Sequence, residues 1–451
     1  MKNYRIWVPI GLIALMVASW YMLISNTVAD QNVFNKYLET ARQYSADGII
    51  NYAVDNYQEA IALKPSPELY AEVAEVYSKY GKLRDYQAWC ASFLDAYPTE
   101  PVAYEWMLQA NLRDEAYESC FDVLRMAEKR GISSAAIQEV AAQLRYVYKF
   151  DFYNYDDVTT FSNNFCAVLK DGGWGFVTRY GDQRISTKYQ KVGSFTAAPG
   201  GESDGNSFRS KSLAPVTDSD GKVYLIDKTG AQAWVPHLEI TSLGLLVDEK
   251  MAAQLPSGKY TYINLDSEIL FGEYDYAGTF NLGVAAVRNG SAWSLVDSKG
   301  NPISDTTYVD VKLDSKEIAF RNDRAFVATA EGRYVMIDTK GNVIGSEEYE
   351  DAFVFASTAP TAVKQGGKWF FIDKDGKRIS EKTYDGARAF CNDLAGVRID
   401  GRWGFVDTDE NLVIETKFYD VRDFNEKGSC FVQVLENQWQ LLELYRLNRE
   451  D

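Results

Sequence analysis

Few residues of this chain are typed and spaced for chemistry. It holds one histidine, His237, so a His-rich metal site is ruled out and any Ser–His or Cys–His relay would have to use that residue. Gly201-Glu202-Ser203-Asp204-Gly205 fits the G-x-S-x-G pattern. That pattern works only where the serine sits on a strained strand-to-helix turn. Here it lies in a Pro/Gly/Ser-rich stretch, Ala197 to Pro215, with no helical pattern after it, and it reads as a surface insert. The Asp-rich turns Asp218-Ser219-Asp220-Gly221, Asp297 to Gly300, Asp338 to Gly341 and Asp373 to Gly376 invite a calcium reading. An EF-hand loop needs carboxylates at alternating positions and a later bidentate Glu, and none of these turns fits. Asp and Gly instead favour tight hairpin turns for local reasons. The five cysteines, Cys90, Cys120, Cys166, Cys391 and Cys430, are odd in number and form no CxxC, which rules out a dense disulfide framework. Cys166, Cys391 and Cys430 sit beside apolar residues and read as small buried hydrophobes. No P-loop, Rossmann glycine pattern or HExxH occurs. Paired carboxylates for glycoside hydrolysis stay open, because their separation in space decides that chemistry. The sequence therefore names no catalytic, cofactor-binding or metal-binding residue, and a non-enzyme without cofactor is expected.

Repetition organises the chain more strongly than any such motif. A Gly-x-aromatic segment ending in a β-branched residue and Asp recurs eight times, centred on Trp174, Val223, Tyr260, Trp293, Tyr334, Trp369, Trp403 and Trp439. The spacings are 49, 37, 33, 41, 35, 34 and 36, a period that marks a repeat architecture. Between the copies runs Tyr-x-x-x-x-x-Phe: Tyr155 to Phe161, Tyr189 to Phe195, Tyr274 to Phe280, Tyr349 to Phe355, Tyr384 to Phe390, and Tyr419 to Phe424 one residue shorter. Tyr308 opens a degenerate copy, and the copy near Thr241 is poorer still. Each unit reads as four short strands parted by turn residues. Trp174, Trp293, Tyr334, Trp369, Trp403 and Trp439 are the structural repeat positions. They recur in every unit, as packing between units demands, where a ligand platform would use only some.

These motifs resemble the WG-repeat (KWG) family of bacterial repeats, best at Trp174-Gly175 and Trp403-Gly404, while Val223 and Tyr260 depart from the tryptophan. The resemblance implies repetitive β-structure and little about activity. The array opens on a Tyr strand at Tyr155 and ends just past Trp439, at Leu441, Leu442 and Leu444. The last unit thus lacks a following Tyr strand, which a ring would supply from the front of the array. A β-propeller of about eight blades over residues 150–451 is expected, with an open β-solenoid as the alternative. The long spacing of 49 places an insert at Ala197 to Pro215, and repeat proteins often carry such loops on a binding face.

The first 149 residues differ in kind. Trp7 to Ile24 is a run without charge, preceded by Lys2 and Arg5 and followed by Asp30. A helix of that length spans about 27 Å, close to the bilayer's hydrocarbon thickness. Residues 1–29 are expected to form a cytoplasmic N-terminus and an uncleaved membrane anchor, with the bulk of the chain outside. The alternative is a signal peptide cleaved after Thr27-Val28-Ala29, which leaves a secreted chain. Over residues 30–149 apolar side chains recur at helical spacing, as at Leu69, Val73, Val76, Tyr77 and Tyr80. The region resembles tetratricopeptide repeats: Tyr37, Ala41, Tyr44, Ala53, Tyr57, Ala60 and Pro65 fall on signature positions, then Tyr70, Ala74, Tyr77, Gly81 and Pro98. It departs at Tyr86, Cys90 and Phe93. A weaker third unit holds Tyr104, Met107, Leu124 and Ala127, and a helix from Ala135 to Tyr148 would cap the stack. The resemblance implies an α-solenoid whose groove binds peptides or whose bulk is a spacer.

With a net charge of −17 the chain repels phosphate backbones, so nucleic acid is not an expected partner. The expected function is a membrane-anchored, extracytoplasmic protein-interaction scaffold in a bacterial cell envelope. It would touch the lipid bilayer through residues 7–24 and a protein partner at the outer face. The alternative is a glycan-binding or glycan-acting envelope protein, to which 10 Trp, 30 Tyr and 23 Phe are compatible stacking surfaces. A reporter fused after Asp451 tests the orientation: one that works only outside the cytoplasm should be active, and one that works only inside should be silent.

Overall fold

The computed structural model describes residues 30–196, 212–356 and 359–445. The anticipated span at 7–24 and the Gly201–Gly205 motif both lie outside the described residues. Among the described residues no helix is long and apolar enough to cross a membrane. The chain divides into two compact units, one reaching Val147 and taking in Tyr445, the other running from Tyr148 to Leu444.

The first unit has seven helices among the described residues: α1 (30–46), α2 (Ile50–Leu63), α3 (Pro67–Tyr80), α4 (Leu83–Ala96), α5 (Pro101–Arg113), α6 (Tyr117–Arg130) and α7 (Ala135–Leu144). Local chemistry starts and stops them. Pro67 and Pro101 open α3 and α5, where a missing N–H costs nothing. The Ser66 and Ser134 hydroxyls accept from the Leu69 and Ile137 amides at 3.4 and 3.2 Å, satisfying otherwise orphaned donors. Gly131 ends α6 in the left-handed conformation, φ 68°. Each helix packs on the next, and α3 also meets α5, as α5 meets α7, so helical hairpins stack. Ala41, Ala53, Ala60, Ala74 and Ala110 are wholly buried and let the helices approach closely. The last helix is shorter than the Ala135 to Tyr148 expected: it ends at Leu144. Tyr148–Phe150 is a strand instead, because its backbone pairs with Leu444, Glu443 and Leu442.

The second unit consists of eight sheets among the described residues. The seventh shows the plan, with Gly386–Ala387, Ala395–Ile399, Arg402–Val406 and Leu412–Phe418 bonded in that order from the inside outward. The innermost strands of the eight begin at Asp157, Lys191, Ser242, Tyr276, Asp310, Asp351, Gly386 and Asp420. The eighth sheet is Asp420–Val421, Ser429–Leu435 and Gln438–Leu444, and its outermost strand is Tyr148–Phe150 from the front of the unit. A further bridge joins Tyr155 to Trp439. The unit is therefore a closed eight-bladed β-propeller, closed by the offset that the sequence displays, and the solenoid alternative is set aside.

Two aromatic ladders run through the ring. The motif aromatic on each third strand faces the Tyr that follows it: Trp174 pairs with Tyr189, Tyr260 with Tyr274, Trp293 with Tyr308, Tyr334 with Tyr349, Trp369 with Tyr384 and Trp439 with Tyr155. In the seventh blade Trp403 pairs with Phe418. This corrects the reading of Tyr419 as the repeat position. Phe418 is 2% exposed and Tyr419 44%, and counting from Phe418 restores the regular spacing to Phe424. The second ladder joins neighbours, since the Phe of one inner strand packs on the preceding blade. Phe195 meets Phe176 with ring centroids 4.9 Å apart, Phe280 meets Tyr262 at 4.8 Å, Phe390 meets Phe371 at 4.6 Å, and Phe424 meets Phe405 at 4.7 Å. Phe161 and Phe431, 5.7 Å apart, close the ring.

The glycine of the Trp-Gly pair has a steric cause. The outer strand bulges opposite it, so a Cβ at Gly175 would lie 2.5 Å from the Ile185 carbonyl oxygen, and one at Gly404 2.4 Å from that of Ile414. Two blades without that glycine place one in the bulging strand instead, Gly272 (φ 92°) and Gly345 (φ 77°). Beside Ser294 and Phe370, where neither strand has one, the outer strand is reduced to isolated bridges, whereas the second blade, also without one, keeps the short outer strand Gln232–Trp234. The insert is also shorter than expected at its far end, for Pro215 lies in the buried strand Leu213–Thr217 and faces Leu225. Gly404→Val should cost about 1–3 kcal/mol through overpacking. Chemical denaturation should show that loss, and hydrogen exchange should place the lost protection in Leu412–Phe418.

Candidate functional site: the propeller channel and its arch

The repeat gives every blade an inner strand, and the fourth residue after its Tyr, or after the residue standing for that Tyr, faces the channel region. In three blades that residue is a cation which reaches a neighbouring blade. Lys312 Nζ lies 2.7 Å from Asp351, Arg388 Nε 2.6 Å from Asp423, and Arg422 contacts Asp420 at 2.8 Å and Asp157 at 3.5 Å. Aromatic faces back these cations: Lys312 lies 4.3 Å from the Tyr334 ring centroid, Arg388 5.3 Å from that of Phe353, and Arg422 4.0 Å from that of Trp439. These pairs stitch blades together while spending the channel's charge on itself. At the same position the second, third and fourth blades carry Gly193, Gly244 and Gly278.

The small residues make room for a feature that sequence reading missed. Tyr308 and Phe320 are separated by twelve residues where the other copies have six, and the excess, Leu313 to Ile318, arches into the channel. Asp314 builds the arch: its Oδ1 accepts the Lys316 and Ile318 amides at 2.8 and 3.0 Å. Its Oδ2 accepts Arg321 Nε and NH2 at 2.9 and 2.7 Å. The arch then reaches two other blades. The Thr279 amide donates to the Glu317 carbonyl at 2.9 Å, and the Ser315 and Thr160 hydroxyls share a hydrogen bond at 2.8 Å. A Cβ at Gly278 would sit 2.8 Å from the Glu317 oxygen, so only glycine admits this approach. The signal in the sequence was the spacing of 41 between Trp293 and Tyr334, longer than the mid-thirties spacing of most neighbouring copies.

Around the arch lie three cavities of about 580, 220 and 550 Å³. Lys316 lines all three. Burial lowers its pKa, and the neighbouring Arg321 charge lowers it further. The Glu317 side chain is exposed, yet desolvation by the surrounding residues raises its pKa. Both shifts run toward the neutral forms.

The structure sorts the residues singled out in the sequence. Tyr334 and Trp439 are buried, while Trp174, Trp293, Trp369 and Trp403 are half-buried, each at a strand pair as described. Trp369 also lines the largest cavity. His237 is exposed, and its backbone amide, not its ring, donates to the Ser267 hydroxyl at 2.9 Å. All five cysteines are free; four are buried. Cys391 departs from the buried reading: it is half-buried because it lines the channel, and its thiol is pushed up to about 12 by desolvation. The Asp-rich turns are turns. Asp297 Oδ1 accepts the Lys299 and Asn301 amides, and Asp338, Asp373 and Asp407 repeat the pattern. A cation would have to compete with those bonds.

This fold and this channel define the class: an eight-bladed β-propeller. The family described as "WG containing repeat" matches residues 152–174, 260–293, 369–403 and 403–439. No curated protein matches the chain. Among solved structures it is similar to BamB from Moraxella catarrhalis, with 13% identity and a TM-score of 0.41 over 66% of this chain and 100% of that one. Virginiamycin B lyase from Staphylococcus aureus matches with 11% identity and a TM-score of 0.35, again over 66% and 100%. The Arabidopsis OM64 TPR domain matches with 17% identity and a TM-score of 0.22 over 26% of this chain and 97% of its own. Identities this low carry no activity across.

The arch is expected to depend on the Asp314–Arg321 pair. Arg321→Ala should cost roughly 1–3 kcal/mol, as for hydrogen bonds to charged groups. In hydrogen exchange, protection should fall first at the Lys316 and Ile318 amides.

Proposed function

We propose that this protein is a non-catalytic protein-interaction scaffold, held at the outer face of a membrane by residues 7–24. Exposed aromatic side chains at the closing seam of the propeller carry the reading. Phe152 is 95% exposed and Tyr153 64%. Tyr153 and Tyr180, the latter 44% exposed, line one surface cavity of about 530 Å³ with Asp151 and Lys170. Large aromatic side chains left in water beside a polar rim are the usual anchors of protein interfaces. The repeat aromatics, by contrast, are occupied in the two ladders, and the channel carboxylates Asp351 and Asp423 are occupied by cations. A sugar-cleaving pair needs free carboxylates flanking its substrate, so these two give the glycan reading less support. The helical hairpins are the second interaction surface in this proposal. Their buried Ala53, Tyr57, Ala60 and Ala74 suit the tetratricopeptide-like reading, and Tyr52 and Tyr80 stand exposed.

A photo-crosslinking residue at position 152, in cells that make the protein, tests this. Capture of a discrete protein, lost in a Tyr153→Ala/Tyr180→Ala variant that still folds, is expected. Capture of wall polymer alone, or of nothing, would overturn the scaffold reading.

A further inference from the structure

Among the cations that line the channel, Lys316 stands apart. Lys312, Arg321 and Arg388 are each ion-paired at 2.6–2.7 Å. Among the described residues, neither a hydrogen bond nor an ion pair holds the Lys316 ammonium. Yet Lys316 sits on the arch at the meeting point of three cavities, and its backbone is fixed by Asp314. Desolvating an ammonium that has no direct partner is costly, and the charges of Asp314 and Glu426 offset that cost only in part.

We infer that Lys316 anchors a binding site for a small organic carboxylate, seated against the arch in the propeller channel. The main cavity, about 580 Å³, lies within the range of about 300–1,000 Å³ usual for small-molecule sites. Its wall mixes the Phe353 and Trp369 rings with polar groups, which suits a ligand with both an apolar and a charged end. One ammonium matches one negative charge. The exposed Glu426 stands in the same wall and disfavours a second negative charge on the ligand. Charges attract more strongly in a narrow lumen than in bulk water, so an ammonium–carboxylate contact there gains more than a surface pair. The burial that depresses the lysine pKa would be offset by the bound anion. The blades meet through the aromatic ladders and not through Lys316, so this site and the seam at Phe152 stand or fall separately.

The test uses the full chain in a non-ionic detergent and isothermal titration calorimetry. The probes are acetate, lactate and glucuronate, with glucose as the neutral twin of glucuronate and inorganic phosphate as the multiply charged anion. Saturable binding of at least one carboxylate is expected, with none for glucose and weaker binding for phosphate. Lys316→Ala should weaken that binding by roughly tenfold or more, the loss of one charge-assisted contact, with its thermal melting unchanged. Lys316→Arg should keep most of the affinity, and Lys340→Ala, on an exposed hairpin turn, should keep all of it. The proposal is overturned if no carboxylate saturates, if Lys316→Ala binds as the parent does, or if phosphate binds more tightly than every carboxylate.

Discussion

The pairing of Trp439 with Tyr155, at opposite ends of the propeller unit, is the constraint on which the rest depends. The other rungs of that ladder join residues about fifteen apart, so local chain connectivity helps to form them. This rung joins residues 284 apart in number, and closing so long a loop costs entropy that only a completed ring recovers. Once it forms, the backbone of Tyr148–Phe150 completes the last sheet, and Phe161 reaches Phe431. No blade is then left with an unpartnered face. Propellers avoid exposed edges by this kind of repetition and closure.

Closure also explains how charge is distributed in the channel. Inner strands converge there, and a ring of like residues at one repeat position would repel itself. The chain instead alternates chemistry. Lys312, Arg388 and Arg422 find carboxylates on adjoining blades, and on the other side glycines leave space. The arch fills that space. It is held by hydrogen bonds from an aspartate to its own backbone and to Arg321, a local device that needs no apolar core. A polar loop thus stands in the channel, with cavities on its sides.

The repeat itself tolerates loss of its signature because different residues solve the same steric problem. A bulge in the outer strand brings a carbonyl oxygen where a Cβ would stand. Gly175 and Gly404 answer it from one strand, Gly272 and Gly345 from the other. The fourth and sixth blades, which answer it from neither side, keep their Trp–Tyr pair but not a continuous outer strand. Divergence of the motif in the middle units therefore reports a change in the outer edge, while the inner three strands remain.

The sequence by itself determined the helical and β-repeat regions, the number of blades, the turn chemistry and the offset that closes the ring. Each rests on periodicity or on local backbone preference, which a linear chain displays directly. It misplaced Tyr419 for Phe418, because alternation in a strand is read from aromatic identity until burial distinguishes neighbours. It extended the last helix to Tyr148, because helical and strand patterns look alike over four residues. The arch was present only as an excess of six residues between two motifs. That Leu313 to Ile318 turn inward, that Gly278 makes room, and that Lys316 meets three cavities were decided by tertiary structure alone. The physical reason is that these contacts join blades far apart in sequence, and a one-dimensional pattern carries no record of which side chains a closed ring brings face to face.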